Sequence, residues 1–123
     1  MTLEKYFHII HNLLERHWLI SRNEIVFKRY SEHSGKVEGK IILLDGSYVA
    51  FAEEIAIVKN AVIKNKYRYQ YVKNTEIFRY DNYPRHRGIF PPFHHKHTGD
   101  GVAPLPAPPK LIDIIEEAAR HML

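Results

Sequence analysis

Residues 36 to 58, "KVEGKIILLDGSYVAFAEEIAIV", place two apolar runs on either side of Asp45-Gly46. Asp-Gly supplies the backbone that a tight hairpin demands, so this stretch commits the chain to an antiparallel pair. A two-residue turn at Asp45-Gly46 sets Glu38 opposite Glu53. Like charges facing each other across a ladder are unfavourable, and a bulge near Gly39 is the expected relief. Glu53 remains a candidate acid.

The neighbouring segments extend the sheet. "EIVFKRY" (24 to 30) is β-branched and aromatic, and "HSG" (33 to 35) follows as a turn. "KYRYQYV" and "EIFRYD" form a second hairpin around Asn74-Thr75. Its pairing predicts Tyr71 opposite Phe78 and Tyr69 opposite Tyr80 on an aromatic face. Gln70 then meets Arg79, and Arg68 meets Asp81, on a polar face. At the ends of the chain the period becomes helical. Leu3, Phe7, Ile10, Leu14 and Trp18 predict a helix over residues 2 to 20, with Thr2 as N-cap. Leu111, Ile115, Ala118 and Met122 predict another, starting at Pro109. All seven prolines fall between Asn82 and Pro109, which reads as a long ordered loop. The expected architecture is one α+β domain over residues 1–123. It has an antiparallel meander of about five strands flanked by an N-terminal and a C-terminal helix.

Composition narrows the function classes. Apolar content of 45% suits a globular chain. With no cysteine there is neither a disulfide nor a zinc-thiolate site, which fits a reducing, cytoplasmic setting. Glu4, Lys5, His8, His11 and Glu15 are foreign to a secretory signal, and no apolar window is long enough for a membrane span. Of the net charge of +4, three units come from residues 79 to 97, where Arg79, Arg85, Arg87 and Lys96 face the single acid Asp81. Such a patch suits an anionic partner, with a merely solvated surface as the plainer alternative.

The same segment, "IFRYDNYPRHRGIFPPFHHKHTGDG", also holds four of the nine histidines. It fits three chemistries. His95 and His97 could ligate a metal, with Glu53 or Asp81 completing the set, although the spacing matches no zinc signature. Arg68, Arg79, Arg85 and Arg87 could bind a polyanion. Histidines beside cations could instead cleave RNA without a cofactor, because imidazole can both take and give a proton near neutral pH.

"LLDGSYVAFAEE", "YRYQYV", "IFRYDNYPRH" and "FPPFHHKHTGDG" together resemble the TumE-like toxin family of bacterial and archaeal toxin–antitoxin pairs, over roughly residues 36 to 120. The resemblance points to Glu53, Arg79, Tyr80, Asp81, Asn82, Pro84, His86, His95, Lys96 and His97. One position departs: where the family often carries a second histidine after the one matching His86, this chain has Arg87. The resemblance implies a toxin acting on RNA and neutralised by a helix-turn-helix antitoxin. On this reading His86, His95, His97, Asp81 and Lys96 are the catalytic candidates. Arg68, Arg79, Tyr80, Asn82, Arg85 and Arg87 are the substrate-binding ones. No metal or other cofactor is required. The alternatives are a nucleic-acid-binding module without turnover and a metal-dependent nuclease held by His95 and His97. Apolar residues on both faces near the first hairpin turn (Ile41 and Leu43, Ile42 and Leu44) call for cover by two helices or by a homodimer interface.

Overall fold

The computed structural model describes residues 1–84 and 89–122. In chain order the elements are α1 (Leu3–Arg16), β1 (Ile20–Arg29), β2 (Ser34–Leu43), β3 (Tyr48–Val58), β4 (Ala61–Lys73), β5 (Thr75–Asp81), β6 (His95–Thr98), β7 (Gly101–Pro104) and α2 (Leu111–Ala119). The strands form a single antiparallel sheet in sequence order. Two terminal helices on an antiparallel meander are as expected, but the described residues hold seven strands. β6 and β7 arise inside the proline-rich segment read as loop. His-Lys-His-Thr has no apolar alternation, and it becomes a strand by pairing with Arg79–Asp81 of β5.

Local chemistry explains where α1 starts. Thr2 Oγ1 accepts the Lys5 amide at 3.1 Å, and Glu4 lies in the first turn. The helix ends at Arg16, short of residue 20, and leaves Trp18 76% exposed. α2 starts after Pro109, with the Lys110 amide donating to Asp113 at 3.2 Å.

The first hairpin runs one residue out of the expected register. Val37 faces Glu53 and Glu38 faces Ala52. The loop has three residues, Leu44 to Gly46, closed by the Leu43 amide on Ser47 O at 2.8 Å, with Gly46 at φ 84°. The pairing of β2 with β3 is unbroken, so the predicted bulge is absent there and the two glutamates lie on opposite faces. Gly39 serves β1 instead: a Cβ there would lie 1.9 Å from the Glu24 carbonyl oxygen. In the second hairpin the four predicted pairs from Arg68↔Asp81 to Tyr71↔Phe78 all form, with Asn74 alone at the apex.

Both helices cover one face of the sheet. Leu3, Tyr6, Ile10 and Leu14 of α1, and Leu111, Ile114, Ile115 and Ala118 of α2, bury it together with Ile41, Val49, Tyr69, Tyr71 and Phe78. Each fully buried Leu, Ile, Val or Phe among them contributes about 1.5–3 kcal/mol. On this face Glu53 is fully buried. It accepts hydrogen bonds from the hydroxyls of Tyr6 and Tyr69, and Lys64 Nζ lies 3.2 Å away. Lys64 reaches it because β4 shifts register opposite Glu54/Ile55, which turns the Lys64 side chain toward the helices. Asn82 clamps that shift, accepting from the Tyr67 amide and donating to Asn65 O, each at 3.0 Å. Lys64 also donates to Pro109 O at 2.7 Å, tying the approach to α2 into the same node.

Glu53→Gln strands the buried Lys64 cation and should cost about 3–5 kcal/mol in urea unfolding, part of which Lys64→Met in the same chain should restore. Burial, reinforced by the Glu53 charge, raises the hydroxyl pKa values of Tyr6 and Tyr69. Their stabilisation is therefore complete below the unfolded tyrosine pKa of about 10 and is lost as pH rises above it. Burial lowers the Lys64 pKa, which acts in the opposite sense below about pH 10.5. Stability should fall above that pH, and less steeply in Tyr69→Phe.

Candidate active site

The pairing of β5 with β6 sorts the candidates by face. Arg79 sits opposite His97, and Asp81 opposite His95. Alternation puts these four on the face away from the helices, and Tyr80 and Lys96 on the other. Asp81 is the hub and is only 3% exposed. Its Oδ1 lies 2.8 Å from His95 Nε2 and accepts the Tyr83 amide at 3.0 Å. Its Oδ2 accepts from Arg79 Nε at 3.1 Å and lies 3.3 Å from His97 Nε2. Arg79 Nη2 is 3.2 Å from each ring nitrogen of His97.

The His95 ring is held from both sides. Its Nδ1 lies 2.6 Å from Phe93 O, and its Nε2 lies 2.8 Å from Asp81 Oδ1. Phe93 can present its carbonyl because a turn, with its amide on Phe90 O at 2.8 Å, holds it at φ 67°. A bulky residue is strained there. Nothing in a phenylalanine between Pro92 and His94 signals such a backbone, so this support is not legible in the residue types.

Other candidates lie elsewhere. Lys96 Nζ is held by Glu117 of α2 at 2.6 Å, and the Tyr80 hydroxyl by the same carboxylate at 2.5 Å. Glu53 is in the core, and Asn82 is the clamp on β4. Arg68 is the backbone partner of Asp81, but among the described residues it forms no ion pair with it; Arg79 takes that place. His94 turns toward the helices, with Nδ1 3.0 Å from the Tyr67 hydroxyl, and burial lowers its pKa. Arg85, His86 and Arg87 lie outside the described residues.

The donor atoms of Asp81, His95 and His97 all lie within 4.8 Å of one another, a spacing that would also hold a metal ion. The fit is partial. The Phe93 carbonyl orients His95 as metal-binding histidines are oriented, but the Arg79 guanidinium already occupies the contacts to Asp81 Oδ2 and His97.

The sequence model of the toxin TumE matches residues 8–122. The chain belongs to the TumE toxin family. No curated protein and no solved structure matches it. The outer-face cluster and the Glu53, Lys64 and Tyr69 members of the buried node fall within the TumE match, and Tyr6 precedes it. Among the described residues no helix is long and apolar enough to cross a membrane.

Asp81→Asn removes the carboxylate that Arg79, His95 and His97 share and should lower stability in urea unfolding by about 1–3 kcal/mol.

Proposed function

We propose that this TumE-family chain is a cytoplasmic toxin that cleaves RNA without a metal ion and is neutralised by a helix-turn-helix antitoxin. The observation that carries the reading is Arg79, Asp81, His95 and His97 gathered on the face that the helices leave uncovered. Cleavage needs a base for the ribose 2′-hydroxyl, an acid for the departing 5′-oxygen and a cation for the phosphorane charge. The His97 side chain is 12% exposed while that of His95 is 0% exposed, so His97 is the group that meets the 2′-hydroxyl. As its proton leaves, the hydroxyl oxygen attacks phosphorus, the bond to the 5′-oxygen breaks, and a 2′,3′-cyclic phosphate forms. Arg79 supplies planar donors for the phosphoryl oxygens. Asp81 holds Arg79 and His97 in place, and His95 is a positioning residue acting through Asp81. His86 is the candidate for the proton returned to the leaving oxygen.

The metal-dependent reading rests on the three donor atoms of Asp81, His95 and His97. Against it stands charge: a divalent ion would share one carboxylate with an arginine already in contact with it.

Purified chain should cleave RNA equally with and without EDTA and yield 2′,3′-cyclic ends. Arg79→Ala and His97→Ala should each lose about 10²–10³-fold in rate. Full activity in both variants would sink the assignment, and loss with EDTA would establish the metal reading.

A further inference from the structure

Beyond the four-residue cluster, the uncovered face carries a trough that no proposed step uses. Two cross-strand rows run along it. One passes from Glu38 through Ala52 and Arg68 to Asp81 and His95; the other passes from Lys40 through Ala50 and Gln70 to Arg79 and His97. Strands lie about 4.8 Å apart, so Arg68 and Gln70 sit one strand from the cluster and the alanines two strands away. Exposed strand positions favour β-branched and aromatic residues. Ala50, Ala52 and Gly39 instead leave a hollow of about 470 Å³, walled by Lys36, Arg68 and Tyr83.

Arg68 gives the hollow its chemistry. Its Nε is shut off from water and has no hydrogen-bond partner among the described residues. A buried guanidinium donor without an acceptor is costly, and an anionic oxygen would satisfy it. Lys66 Nζ lies 4.9 Å from the centre of the Tyr83 ring, adding a second cation beside an aromatic surface. Cations interleaved with an aromatic ring on an uncovered sheet are the ingredients of single-stranded nucleic-acid binding, where bases stack and phosphates pair.

We propose that this trough is a subsite for the nucleotide flanking the cleaved bond, with the Arg68 guanidinium on its phosphate and Tyr83 against its base. The proposal rests on the ribonuclease reading, and binding is therefore measured apart from cleavage. The probe is a fluorescein-labelled 2′-O-methyl octaribonucleotide, which lacks the attacking hydroxyl, titrated by anisotropy at several salt concentrations. Arg68→Ala should weaken binding about ten- to hundred-fold and reduce the salt slope by about one. Ala52→Leu fills the hollow without touching a charge and favours the strand, so it should weaken binding while the protein stays folded by circular dichroism. Binding equal to the parent chain in both variants would overturn the subsite, even with RNA cleavage intact. Tight parent binding that both variants lose, in a chain that cuts no RNA, would keep the subsite and end the nuclease reading. Unchanged RNA affinity in Ala52→Leu, with loss of a co-expressed antitoxin, would assign the trough to a protein partner and overturn the proposal.

Discussion

The carboxylate of Glu53 organises this molecule. A lone buried charge would cost several kcal/mol, and this one is met from three directions: Tyr6 on α1, Tyr69 on β4, and Lys64 just beyond the register shift. Through Lys64 the node reaches Pro109, ahead of α2. A residue that looks like a catalytic acid in the sequence is thereby the pin that holds one helix, and the approach to the other, on the same side of the sheet. Because both helices lie on that side, the polar rows are left to the opposite side of the sheet.

The candidate site inherits its order from that division. Strand parity in β5 and β6 sends Tyr80 and Lys96 to Glu117 and the core, and sends Arg79, Asp81, His95 and His97 outward. The outward group is internally matched, since one carboxylate faces a guanidinium and two imidazoles, and a backbone carbonyl fixes the deeper ring. Preorganisation of this kind keeps dipoles and charges aimed before any substrate arrives, which is what electrostatic stabilisation of a phosphorane requires.

Much of this was readable in the sequence, and the failures have physical causes. The alternation of aromatic and polar residues in 68–81 is strict enough to set the register of β4 and β5 near the site, and it did. Asp45-Gly46 marked a hairpin correctly but not its loop length, so β2 slid by one residue and an apparent clash between Glu38 and Glu53 dissolved. β6 stayed hidden because its hydrogen bonds come from pairing with β5 and not from its own propensity. Lys96 was grouped with His95 and His97 by nearness in sequence, whereas a strand sends adjacent residues to opposite faces. Arg68 was matched with Asp81 across the ladder, yet Arg79, two residues from Asp81 on the same strand, makes the ion pair.

The meander has a temporal consequence. Every strand pairs with its neighbour in sequence, so a chain emerging from the ribosome can add them in order, from the N-terminal side. Arg79 and Asp81 come out with β5, but the two imidazoles that complete their cluster come with β6. A nascent chain that has not yet exposed residue 95 carries the anchor of the cluster and neither partner ring. An unfinished translation product that ends before residue 95 therefore lacks the assembled cluster by topology alone.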